Sequence, residues 1–150
     1  MPIKRTIHLA AILACGLALQ CGPRTPYGVT QEEADQVLQL SPEKQIDAYL
    51  QRLLKTKPPN RELALIIAPN IDVHKHLEPR IASAKDGLLI SDLIFLALMV
   101  CEKQDVCSKD RQFIDLLRKS CSKIEFPESR KFSCREVDEI ENPGTRNPPK

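Results

Sequence analysis

Between Leu88 and Val100 the chain runs through thirteen residues of which only Ser91 and Asp92 are polar. Cys101 closes this run, a short charged connection leads to Cys107, and a second, amphipathic segment ends at Cys121. No other stretch limits the fold as much. A helix that is apolar on all sides has to be enclosed by its neighbours or by lipid. A bilayer span needs about 20 apolar residues, and this run is shorter and carries a Ser-Asp pair near its start. The run is therefore expected to be the core helix of a globular domain, with the cysteines marking what packs beside it.

The N-terminal residues belong to a different class. Lys4 and Arg5 precede an apolar stretch from Ile7 to Leu19 broken only by His8, and Gly22-Pro23 stops it abruptly. A positive start followed by a short apolar run predicts a secretory signal over residues 1–20. The chain carries 22 Lys and Arg against 20 Asp and Glu, so removal of Lys4 and Arg5 leaves a mature protein with no net charge. That balance excludes an electrostatic case for nucleic acid, which would show a basic stripe. Export also bears on the cysteines. Cys15 lies inside the signal, while Cys101, Cys107, Cys121 and Cys134 form an even set, which in an exported chain predicts two disulfides.

Cys21 is then left over, directly behind the apolar run. The residues Leu17-Ala18-Leu19-Gln20-Cys21-Gly22 resemble a bacterial lipoprotein signal, in which a lipidated cysteine becomes the first mature residue. The resemblance implies an exported chain anchored in an envelope membrane through Cys21. With no Asp following the cysteine, it implies the outer membrane, facing the periplasm. Cleavage after Ala18 by an ordinary signal peptidase is the competing reading and would give a soluble secreted or periplasmic protein.

Residues 21–29 contain Pro23, Pro26 and two glycines and read as a flexible tether. A single helical domain is expected over residues 30–141. Thr30 with Glu33 makes a capping box, and Ala34, Val37 and Leu38 share one face of a first helix ending near Leu40. Ser41-Pro42-Glu43 supplies an N-cap, a proline at the first helical position and an acid in the first turn. Ile46, Tyr49, Leu50, Leu53 and Leu54 follow at helical spacing, until Lys57-Pro58-Pro59 ends the segment. Asn60 can cap a third helix that stops before Pro69, its apolar run being readable alternatively as a buried strand. The segment from Ile71 to Ala84 is amphipathic but contains Pro79, so the helix kinks or restarts there. Ser108 can cap a helix from Lys109 to about Ser120, and residues 128–140 form a last, poorly amphipathic one. Residues 142–150, with three prolines and a glycine, are expected to be a disordered tail. The sum is an all-α, disulfide-stapled domain of five or six helices. Ile46, Leu50 and Leu54 are echoed 27 residues later by Val73, Leu77 and Ile81. That echo, over about residues 42–100, resembles the helical hairpins of HEAT-like solenoids and implies similar hairpin packing.

Helix geometry ranks the cysteine pairings. If the core helix and the one after it form an antiparallel hairpin, Cys121 lies roughly 20 Å from the turn that holds Cys101 and Cys107. A disulfide needs Cα atoms within about 7 Å. Cys101–Cys107 and Cys121–Cys134 remain. Redox chemistry would call for two cysteines separated by two residues at a helix start, and zinc for short paired spacings or nearby histidines. Five residues separate Cys101 from Cys107, and His74 and His76, two apart, point to different sides of a helix.

The sequence holds no nucleophile elbow and no phosphate-cradling glycine loop. Asp92 is expected near the start of the core helix, facing solvent or capping. No cofactor or metal is implied. Arg118, Lys119, Lys123, Arg130, Lys131 and Arg135 form a modest basic region, balanced downstream by Glu136, Asp138, Glu139 and Glu141. It is either a solvated face or a docking surface for an acidic partner. The functional expectation is a non-enzymatic envelope lipoprotein that binds a protein in the cell envelope. By class resemblance to small, helical, disulfide-bonded inhibitors, it could be an immunity-type inhibitor of a toxic envelope enzyme. A structural or accessory lipoprotein of an envelope or secretion assembly is the second reading, and a thiol-redox protein the third.

Overall fold

The computed structural model describes residues 28–53 and 61–141. The signal, Cys21, most of the expected tether and the C-terminal tail lie outside these residues. The described chain forms seven α-helices and no strand: α1 (Gln31–Leu38), α2 (Pro42–Leu53), α3 (Arg61–Ile67), α4 (Glu78–Ser83), α5 (Gly87–Gln104), α6 (Arg111–Cys121) and α7 (Pro127–Glu141). A 3-10 turn (Ala68–Asn70) and a π turn (Val73–Leu77) connect α3 to α4. This is a small all-α domain stapled by two disulfides.

Local chemistry sets the helix boundaries. Thr30 Oγ1 accepts from the Glu33 N–H at 3.2 Å and Glu33 accepts in return from the Thr30 N–H at 2.9 Å, closing the capping box. That backbone hydrogen bond, with Arg52 nearby, holds the Glu33 carboxyl below its ordinary pKa. Val29, the last residue of the expected tether, is fully buried, so core contacts begin just before α1. Pro42 opens α2, where its missing N–H costs nothing. Pro79 stands in the first turn of α4, so the segment restarts there, and the π turn before it absorbs the change. Asp86 caps α5 by accepting from the Leu89 N–H at 2.8 Å.

α5 is the axis of the domain. It packs against α2, α3, α4, α6, α7 and both connecting turns, while α1 lies on α2 and α3. Ten of its eighteen residues are buried, among them Ile90, Leu93, Ile94, Leu96, Ala97 and Val100. Its neighbours contribute Ile46, Tyr49, Leu63, Ile67, Leu77, Ile81, Phe113, Leu117 and Val137 to the same core. Long-range hydrogen bonds fix the layers. Tyr49 Oη donates to the Asp92 carbonyl at 3.2 Å, tying α2 to α5, and burial pushes its phenol pKa up. The buried Gln45 donates to the Leu40 carbonyl at 2.9 Å, at the end of the α1 segment. Gln104 donates to the Ala68 and Ile71 carbonyls at 2.7 and 2.9 Å, tying the end of α5 to the 3-10 turn. Arg80 reaches from α4 to Asp47 of α2 at 2.7 Å.

Two expectations are corrected. The cap of α6 is Asp110, which accepts from the Phe113 N–H at 3.0 Å, and Ser108 has no such role. Residues 107–110 close a turn, with the Asp110 N–H donating to the Cys107 carbonyl, which delays the helix past Ser108. Asp92 is not in the first turn of α5, because that helix begins at Gly87, and it is neither a cap nor open to solvent. It is half-buried one turn beyond Leu88, and burial, reinforced by Asp86, pushes its carboxyl up to about 6.

An acid raised in this way favours the folded state in its protonated form. Its contribution is fully present below the unfolded value near 4 and is lost as pH rises through about 6. Asp92→Asn is accordingly expected to raise the melting temperature at neutral pH, the gain shrinking to nothing in thermal scans near pH 4. Leu96→Ala, which empties space beside fully buried neighbours, is expected to cost about 2–5 kcal/mol in denaturant unfolding.

Candidate interaction surface

The two staples lie at either side of α6. Cys101, one turn before the end of α5, is joined to Cys107 in the connection to α6, with Cα atoms 5.2 Å apart. Asp105 between them takes the left-handed conformation (φ 50°) and donates its N–H to the Cys101 carbonyl, ending α5. Asp tolerates that geometry better than most residues. At the other end Cys121 is joined to Cys134, with Cα atoms 5.5 Å apart. This clamps α7 antiparallel along α6, and Arg118 of α6 accordingly meets Asp138 and Glu141 of α7. Cys101, Cys107 and Cys121 are buried and Cys134 is half-buried, so the staples belong to the core.

The six basic residues of this region divide into three groups. Arg118 is surrounded by acids: Asp115 at 3.2 Å, Asp138 at 3.1 Å and Glu141 at 2.8 Å. The hydrogen bond with Glu141, then that with Asp138, pushes its pKa further up. Arg135 pairs with Glu136 and Glu139 and lies over the Phe132 ring, 5.4 Å from its centroid. Arg130 donates to the Ile124 carbonyl at 2.7 Å and so braces the α6–α7 turn. Lys119, Lys123 and Lys131 are exposed and pair with no acid among the described residues. What faces solvent as uncompensated charge is therefore a small group of lysines around the second staple.

Apolar side chains stand out in the same place. Leu88 and Phe126 are each 53% exposed and Phe132 is 47% exposed. Leu88 follows Gly87, where a Cβ would come within 3.0 Å of the Glu125 amide and 3.4 Å of the Lys123 carbonyl. The start of α5 is thus seated directly on the α6–α7 turn. Leu88 and Phe126 flank that contact, with Lys123 beside them. The sequence places these residues 38 positions apart, and only the Gly87 contact reveals that they share a surface.

A second polar cluster surrounds the π turn. His74 is exposed, with Nδ1 3.0 Å from Glu78 Oε2 and Nε2 3.0 Å from Asp110 Oδ2. His76 is buried. Its Nδ1 accepts from the Asp72 N–H at 3.0 Å, which puts the ring proton on Nε2, 3.4 Å from Glu43 Oε1 but out of line for a hydrogen bond. The two histidines thus face different partners, and no cluster of three or more ligand-type side chains among the described residues could hold a metal ion. Beside His74 opens a pocket of ≈ 340 Å³ lined by Ile71, Asp72, Val73, Gln104 and Val106. Glu78, four residues after His74, is visible in sequence as a helical neighbour, whereas Asp110 is not.

No helix among the described residues is long and apolar enough to cross a membrane. Comparison with protein-family models, with curated proteins and with solved structures finds no match for this chain.

The staples make separable contributions to stability. In the chain-entropy account, loss of Cys121–Cys134 through a double Cys→Ala substitution is expected to cost about 3 kcal/mol, and loss of the shorter Cys101–Cys107 loop about 2 kcal/mol. Chemical denaturation of the two double variants measures the difference.

Proposed function

We propose that this protein is a non-enzymatic cell-envelope lipoprotein, anchored through Cys21, that acts as a protein-binding module. The observation that carries the reading is the surface at the junction of α5 with the α6–α7 turn, where Leu88 and Phe126 are more than half exposed. Large apolar side chains left open at either side of one backbone contact, with exposed lysines nearby in the chain, have the ordinary anatomy of a protein contact. The lysines favour a partner with acidic side chains around an apolar centre. Buried disulfides beneath the surface support a preorganised contact, which loses less entropy on binding than a mobile one. The paired cysteines also support an oxidising compartment. The anchor rests on the resemblance of the Cys21 segment to lipoprotein signals.

Two measurements in the producing cell test the halves of this reading. A photo-crosslinking residue at Phe126 is expected to give one discrete adduct with a single partner protein, weakened by Lys123→Glu. The same residue at Lys103, at the opposite end of α5, is expected to give none. Identical patterns from both positions would count against the surface. Cys21→Ala is expected to move the chain from the membrane to the soluble fraction, and an unchanged distribution would remove the anchor from the account.

A further inference from the structure

We propose that His74 is a pH-operated clasp. As an imidazolium it pins the π turn and the start of α4 to the N-terminus of α6, and on losing its proton it lets them part. The ring stands between two carboxylate oxygens, each 3.0 Å from one of its nitrogens. Nδ1 hydrogen-bonds to Glu78, whereas the Asp110 contact is an ion pair that draws on the charge of the ring. A neutral ring keeps at most the Glu78 hydrogen bond, and only the cation also attracts the Asp110 carboxylate.

Three carboxylates act on the ring from three elements: Glu78 from α4, Asp110 from the N-cap of α6 and Asp72 from the N-cap of the π turn. The Glu78 hydrogen bond leads, partial burial opposes it, and the balance holds His74 above the ordinary histidine value. The Phe113 ring, T-shaped to the imidazole with centroids 6.1 Å apart, meets it from the α6 side. The His74 ring is 60% exposed, so its proton exchanges freely with solvent.

The clasp closes a seam beside the Cys101–Cys107 staple and a second polar tie. Gln104 holds the end of α5 to the 3-10 turn through an amide that does not titrate. His74 holds the other side through a proton. Asp110 links that proton to the helix itself, since one of its oxygens caps Phe113 while the other meets His74. The pocket between Val73 and Val106 lies along this seam. Loosening the clasp releases Asp110 and the start of α6 from the π turn, while Gln104 and the Cys101–Cys107 staple stay fixed. Acid therefore closes the seam and alkali opens it. Because the folded state binds this proton more tightly than the unfolded chain, the stabilisation is complete below about pH 6.5 and is lost as pH rises through the raised folded value.

The test is an NMR titration of the full chain from about pH 5 to 9, following the His74 ring and amide exchange at Phe113 and Ile114, corrected for intrinsic base catalysis. The His74 midpoint is expected above that of an unstructured histidine, and to fall in both Glu78→Gln and Asp110→Asn. Asparagine retains the cap, so Asp110→Asn changes the charge while preserving the helix start. Corrected exchange at Phe113 and Ile114 is expected to rise roughly two- to five-fold across the His74 midpoint, in the range of a surface ion pair. His74→Gln should abolish that step. A midpoint at the ordinary value that neither variant moves would overturn the proposal. So would exchange with no step at the His74 midpoint, or a step that survives His74→Gln.

Discussion

α5 has to be covered on every side, and the rest of the structure depends on that requirement. Its buried residues run from Gly87 to Cys101 and face all around the helix, so no single partner helix can shield them. Each fully buried Leu or Ile stabilises the fold by about 1.5–3 kcal/mol relative to exposure, but only if a neighbour is there to exclude water. Five shorter helices and two turns arranged about one long helix meet the need, as the packing of α2, α3, α4, α6, α7 and both turns on α5 shows. None of these pieces is long enough to be stable alone. The disulfides join the two ends of α6 to α5 and α7, where the covering layer is least continuous in sequence. Gln45 and Gln104 satisfy backbone carbonyls that short helices leave open, and Tyr49 ties α2 to a carbonyl inside α5.

Features whose causes are local were legible in the sequence. The capping box at Thr30 and Glu33, proline at the start of α2 and the break at Pro79 each depend on residues within one turn of each other. The apolar run identified the core helix, although its true extent, Gly87 to Gln104, also takes in the charged residues before Asp105. What stayed hidden depends on distant partners. Ser108 and Asp110 are both good caps, and the turn at residues 107–110 decides between them. Gln45 and Gln104 look like ordinary surface residues until the carbonyls they serve are brought near. Asp92 reads as a solvent-facing acid because its sequence neighbours do not show how far Gly87 extends the helix behind it.

The basic region illustrates the same limit at the candidate surface. In sequence, six cations between Arg118 and Arg135 look equivalent. In the fold, antiparallel packing of α7 on α6 brings Asp138 and Glu141 to Arg118, and Glu136 and Glu139 lie within reach of Arg135. Three exposed lysines are left without an acidic partner among the described residues. The surface that results is smaller than the sequence implies and more apolar. The π turn holds its two histidines in opposite environments, one buried against backbone and one exposed between carboxylates.

The central claim is that α5 is the last element to give up its protection, because five helices and both turns stand between it and water. Native-state hydrogen exchange of the oxidised full chain measures this directly. The account predicts that amides from Leu93 to Val100 exchange most slowly, at rates set by global unfolding, with α1 exchanging faster through local opening. Exchange in α5 as fast as in α1, or slowest protection located outside α5, would contradict it.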